Sequence, residues 1–300
     1  MNDFNEHEFH SKKSFDPRPE PKPDANPLKK YFRQPGVMIH LPSGGKFMPQ
    51  NAIEFTASGE VPIYPFKAED EILFKSPEAL INGYALENMI RSCVPAIKCN
   101  PKFVSSCDLD VIILSVRMAS YGDKMNIDVS CPKCKKEHSF ACDIPSILNT
   151  VKEVPDEYSV RLDDDIEVFV RPYNLENNIK LQMTLFNETR KIQAAEQSND
   201  PDSVDINQQA TKRMAKLALD MATECIMAVS VPGAFVKDRK LISEFTSNIA
   251  SEWMGKVIDG IKTLNNIGVD KNLPVHCNSC GHEWEARIEF DPTNFFANGS

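Results

Sequence analysis

Residues 125–142 read MNIDVSCPKCKKEHSFAC, and residues 273–290 read LPVHCNSCGHEWEARIEF. Each stretch carries an alternating run and a pair of cysteines with two residues between them. A second alternating run then returns. Alternation with a period of two marks a half-buried strand, so each stretch reads as a β-hairpin with its cysteines at the tip. Cys131 and Cys134 on one tip, with Cys277 and Cys280 on the other, supply the four thiolates that a closed tetrahedral zinc site takes. Backbone N–H groups of such tight turns can donate to the sulfurs, and Lys133 and Gly281 occupy turn positions that help this geometry. Gly281 does so because glycine tolerates a positive φ. The expectation is one structural zinc ion held by all four cysteines, in a zinc ribbon whose two hairpins lie far apart in sequence.

Other uses of these cysteines fit less well. A redox CxxC follows a strand and opens a helix, where the dipole lowers the thiol pKa; here strands lie on both sides. A zinc deaminase needs His-x-Glu before Pro-Cys-x-x-Cys, whereas His282-Glu283-Trp284 follows its cysteines. A catalytic zinc keeps one open position, which four thiolates fill. His138, His276 and His282 stand close enough in sequence to replace a ligand, and read more simply as outer or surface histidines.

The rest of the chain frames these hairpins. Residues 1–36 hold Pro17, Pro19, Pro21, Pro23, Pro27 and Pro35 among mixed charges and few aliphatic residues, a composition expected to remain a disordered arm. Residues 37–145 are expected to form an α+β region carrying the first knuckle. It would comprise strands at 37–41 and 61–66, helices at 68–75 and 77–93, and a buried helix at 108–119 with Ser106 as its N-cap. Residues 146–270 read as a mainly helical insertion with one strand at 166–171. Leu175, Ile179, Met183 and Phe186 share one face of a first helix; Met214, Leu217, Met221, Cys225 and Ala228 mark a second, and a polar loop, 197–205, lies between. Helices at 240–249 and 251–264 follow. Residues 271–300 close the ribbon with strands at 273–276 and 284–290. The expected fold class is therefore α+β: a helical body, small antiparallel β elements and a zinc ribbon assembled from two sequence-distant hairpins.

Composition narrows the function. The chain has a net charge of −9, and its short basic groups (Lys29-Lys30 with Arg33; Lys133 with Lys135-Lys136) form no stripe, which argues against phosphate-backbone binding. No secretory signal opens the sequence and no apolar run reaches membrane-spanning length. Nine cysteines, an odd number, fit thiols and metal ligands of a reducing cytoplasm better than disulfides. Cys93, Cys99, Cys107, Cys142 and Cys225 read as small buried apolar residues. Phosphate-loop, dinucleotide-binding, nucleophile-elbow and HExxH patterns are absent. Asp163-Asp164-Asp165 reads as a solvated turn.

Several separate motifs resemble one family. Ile39-His40-Leu41-Pro42-Ser43-Gly44-Gly45-Lys46-Phe47 and Pro65-Phe66-Lys67-Ala68-Glu69-Asp70-Glu71-Ile72-Leu73 come first. Asp108-Leu109-Asp110, Leu114, Arg117 and Ser120-Tyr121-Gly122 follow, just before Cys131-Pro132-Lys133-Cys134. In order and spacing they resemble the baseplate hub assembly proteins of T-even-like contractile-tailed bacteriophages. The resemblance implies a protein without catalytic activity, acting by protein–protein binding as an assembly factor or a component of the baseplate hub. Its partners would be other tail and hub proteins, met in the host-cell cytoplasm during assembly and, for a hub component, kept in the virion. The alternative is a zinc-ribbon nucleic-acid or transcription-type factor, since Lys133, Lys135 and Lys136 decorate one knuckle. A metal-dependent hydrolase is a more distant third.

Overall fold

Helix α4, Ser106–Tyr121, organises the first of two apolar cores because it has almost no polar face: Val111 through Val116 are all buried. A helix apolar on every side must be enclosed, and here strands β1 (Val37–Ile39) and β2 (Val61–Ile63) pair antiparallel beside it. Helices α1 (Ala68–Phe74), α2 (Pro77–Ile81) and α3 (Tyr84–Cys93) complete the enclosure. Ile39, Ile63, Met89, Ile90, Ile112 and Leu114 meet in this core, each burial worth roughly 1.5–3 kcal/mol. The computed structural model describes residues 26–197 and 203–288.

Residues up to Arg33 form one unit and the chain from Gln34 another. Within the first, Pro27–Tyr31 make a turn of 3-10 helix opened by Asn26, whose Oδ1 accepts the Leu28 N–H at 2.9 Å. The rest of the expected arm up to residue 25 lies outside the described residues, whereas Gly36 already donates to the Ile63 carbonyl.

Local chemistry explains the motif residues. Ser43 donates its backbone N–H to Asp108 Oδ1 at 2.8 Å and its hydroxyl to Oδ2, and Ser105 donates to the same oxygen at 2.6 Å. The loop after β1 is thereby pinned to the start of α4. Tyr121 donates its hydroxyl to Glu71 at 3.0 Å, and Ser120 Oγ accepts the Phe66 N–H. The helix cap differs by one residue from expectation: Ser105 is the N-cap and Ser106 the first helical residue, whose N–H, without an intrahelical partner there, donates to the Tyr173 carbonyl.

After α4 come β3 (Lys124–Ser130), β4 (Glu137–Asp143) and the short helix α5 (Ile144–Leu148). The segment expected to be mainly helical also carries a four-stranded antiparallel sheet. Its strands β5 (Ser159–Arg161), β6 (Glu167–Val170), β7 (Ile226–Val231) and β8 (Ala234–Val236) lie in sequence order. Helices α6 (Leu175–Gln197) and α7 (Ser203–Cys225) run between β6 and β7. Leu175 and Ile179 join the first core, while Met183 and Phe186, on the same face, are exposed. Ala228, read as helical from the sequence, lies in β7.

Helices α8 (Arg239–Asn248) and α9 (Ser251–Asn265) follow the sheet. A Cβ at Gly260 would come within 2.3 Å of Val160, so glycine there lets α9 lie close on β5. Val168, Ile226, Val229, Ile242, Val257 and Ile261 fill the second core. Strands β9 (Asn272–His276) and β10 (Glu283–Arg287) close the described chain; Glu289 and Phe290 of the expected last strand lie outside it. Among the described residues no helix is long and apolar enough to cross a membrane.

Candidate metal centre

The two cysteine hairpins are built alike. In the first, β3 and β4 pair from Lys124↔Asp143 to Ser130↔Glu137; in the second, β9 and β10 pair from Asn272↔Arg287 to His276↔Glu283. At the first tip the Cys131 N–H donates to the Lys136 carbonyl at 2.9 Å, and the Lys135 N–H to the Cys131 carbonyl at 2.9 Å. At the second, Cys277 donates to His282 at 2.8 Å and Gly281 to Cys277 at 2.9 Å. The turns therefore match residue for residue. Both place the residue after the second cysteine in the left-handed region, Lys135 at φ 60° and Gly281 at φ 70°. Gly281 fills the expected role; in the first knuckle that role falls to Lys135, not Lys133, because the left-handed bend follows the cysteine pair instead of lying within it.

These tips meet. The sulfurs of Cys131, Cys134, Cys277 and Cys280 all lie within 4.8 Å of one another. Cys131 and Cys280 are 3.8 Å apart, and Cys134 and Cys277 3.6 Å. Zinc–thiolate bonds of about 2.3 Å in a tetrahedron put sulfurs about 3.8 Å apart, so the donor set and its spacing fit such an ion. Cys131 and Cys277 are fully buried, Cys134 is half-buried and Cys280 is exposed.

The cluster's acidity is uneven. Desolvation pushes the Cys277 thiol up, but the backbone N–H groups of Ser279 and Cys280 and the thiols of Cys280 and Cys134 outweigh it, bringing it down to about 6. At Cys280 the His282 backbone N–H lowers the value. Desolvation and the thiols of Cys277, Cys134 and Cys131 overcome that and push it up to about 12. Cys277 thus forms a thiolate readily while Cys280 keeps its proton, and a cation would take the place of that proton.

Further contacts tie the two hairpins to each other and to α4. His138, on β4, places Nε2 3.1 Å from the Cys277 sulfur. Behind it Phe140 meets Trp284 edge-to-face at 6.4 Å, and His282 stacks on Trp284 at 5.9 Å. At the base of the second hairpin Lys271 pairs with Asp110 of α4 at 2.6 Å, and the Ile288 N–H donates to the Lys271 carbonyl. Burial pushes the Asp110 carboxyl up, against the pull of Lys271 and Arg287.

CxxC spacing made the four clustered cysteines readable from the sequence. The Asp110–Lys271 and Ser43–Asp108 contacts had no local signal, since their partners lie far apart in the chain. Four of the other thiols suit thiolate chemistry poorly: burial pushes Cys107 up to about 12 and Cys225 up to about 11, and raises Cys99 and Cys142 as well. Asp163 accepts the N–H groups of Asp165 and Ile166 in an ordinary turn.

The model of a family described as T4 bacteriophage base plate protein matches residues 37–297. The chain belongs to this family. The match runs through both cysteine hairpins of the baseplate protein as well as its N-terminal motifs. No curated protein and no solved structure matches it.

Proposed function

We propose that this baseplate protein acts without catalysis, by binding other tail proteins, as an assembly factor or structural component of the baseplate hub. In this reading one zinc ion, held by Cys131, Cys134, Cys277 and Cys280, is structural. Family membership supports the tail assignment, and the observation that carries the metal is the convergence of four sulfurs from hairpins distant in sequence. The ion clasps the two hairpins, so that the helices and sheet between them are held as one surface for neighbouring subunits. Its partners are hub and tail proteins, met in the host cytoplasm and retained in the virion if the role is structural.

Two measurements test this. Elemental analysis of the purified full chain should find about one zinc per chain, lost when Cys131 and Cys277 are both replaced by serine. Mass spectrometry of tail intermediates and finished particles should find the chain in the former for an assembly factor, and in both for a component. A chain absent from both would overturn the tail reading, and a metal-free chain the zinc reading. Exposed Lys133, Lys135 and Lys136 on the first knuckle are what favour nucleic-acid binding instead; salt-dependent binding to DNA would support that alternative.

A further inference from the structure

His138 is not one of the four mutually close donors, yet its Nε2 lies 3.1 Å from one of them, the Cys277 sulfur. Four thiolates fill a tetrahedral zinc, so this imidazole has no coordination position to occupy. What it can offer is an N–H. Cys277 already receives the backbone N–H groups of Ser279 and Cys280 from its own turn; His138 approaches from the other hairpin. Four thiolates around a dication leave the centre net negative, and each N–H donor withdraws charge from the sulfur it reaches.

The strand geometry sets this approach. His138, Phe140 and Cys142 fall on one face of β4 because side chains alternate along a strand. Phe140 lies 6.1 Å from the imidazole and 6.4 Å from Trp284 of β10. The aromatic rings thus back the imidazole and direct its edge across the gap. The contact joins the two hairpins without passing through the metal.

Resting on the zinc reading above, we infer that His138 is a positioning residue of the metal centre: its Nε2–H bonds to the Cys277 thiolate, aligns the second knuckle on the first and slows loss of the ion. A donor beyond the ligand shell typically changes metal affinity 10- to 100-fold. In the full chain, His138→Leu should therefore release zinc to a competing chelator roughly tenfold faster or more. His138→Gln, whose amide N–H reaches a similar point, should restore most of the difference. In cobalt-substituted protein the thiolate-to-metal charge-transfer band should move to lower energy in His138→Leu, because a thiolate that loses a hydrogen bond gives up its electrons more easily. Hydrogen exchange in the β5–β8 sheet should be unchanged, which separates this effect from general unfolding. Release and band unaltered in His138→Leu would overturn the inference, as would a glutamine variant no better than leucine. Loss of the tetrahedral cobalt spectrum in His138→Leu would overturn it too, by making the residue a ligand. A wild-type chain that binds no zinc would remove both this inference and the metal reading, whereas a zinc-loaded chain indifferent to His138 would remove this one alone.

Discussion

Lys135 and Gly281 stand at the same place in two matching turns, and only one is suited to it. An L-residue with a side chain costs about 1–2 kcal/mol in the left-handed region, while glycine there gives back part of that through its looser unfolded state. Lys135→Gly should therefore raise stability by about 0.5–1 kcal/mol, and Gly281→Ala should lower it by about 1 kcal/mol. Urea midpoints of the zinc-loaded chain would check both signs. Asp108 makes a different residue-scale argument. Burial pushes its carboxyl up, against the pull of donors on Ser105 and Ser43. A carboxyl with a raised folded pKa keeps its proton longer when folded, so its contribution is full at low pH. That contribution is lost as the pH rises past the unfolded value, about 4. The stability lead of wild type over Asp108→Asn should therefore shrink between about pH 4 and pH 7; a lead that grows over that range would contradict it. Asp108→Ala, which strands three buried donors, should cost roughly 3 kcal/mol or more.

Elements show where sequence reading succeeded and where it stopped. The CxxC hairpins and the buried helix α4 were legible because their signals are local: alternation around a tight turn, and an unbroken apolar run. The single helix read over 77–93 is two, α2 and α3, with Gly83 at φ 76° between them. Asn82-Gly83 was the available clue. Gly83 is also a close-contact site, since a Cβ would come 2.3 Å from the Ile179 side chain of α6. Gly83→Ala should cost about 2–4 kcal/mol through strain and crowding, read as a lowered thermal midpoint. The end of α7 had no such clue. Met221, Cys225 and Ala228 continue a helical period, but Arg171 and Arg239 reach in from distant segments. Arg171 donates its side chain to the Glu224 carbonyl at 3.3 Å, and Arg239 to the carbonyls of Glu224 and Ile226. Those guanidinium groups satisfy the carbonyls of the last turn, and Ile226 pairs with β6 instead of continuing the helix. Three-residue strands such as β5 and β8 exist only through such pairing, so no window of sequence announces them.

At the scale of the whole chain, α4 carries both halves of the candidate centre. Its C-terminal end turns at Gly122 into β3, and Asp110, about one turn from its start, holds Lys271 at the foot of β9. Both hairpins are thus seated on one buried helix before any ion joins their tips. Chelation should accordingly raise hydrogen exchange in the β3–β4 and β9–β10 hairpins while the β5–β8 sheet keeps its protection. Equal loss of protection everywhere would mean that the ion supports the entire fold.

The sulfurs of Cys134 and Cys277, 3.6 Å apart, come from positions 143 residues apart in the chain. During synthesis at about 5–20 residues per second, the first knuckle leaves the ribosome on the order of ten seconds before its counterpart is even translated. Through that interval it can offer a cation only two thiolates, a weak and exchangeable hold. If the centre takes up zinc as proposed, tight capture would wait for the second pair, so metal loading would double as a late checkpoint on the newborn polypeptide, passed only by chains whose intervening helices have already collapsed enough to bring the distant tip home.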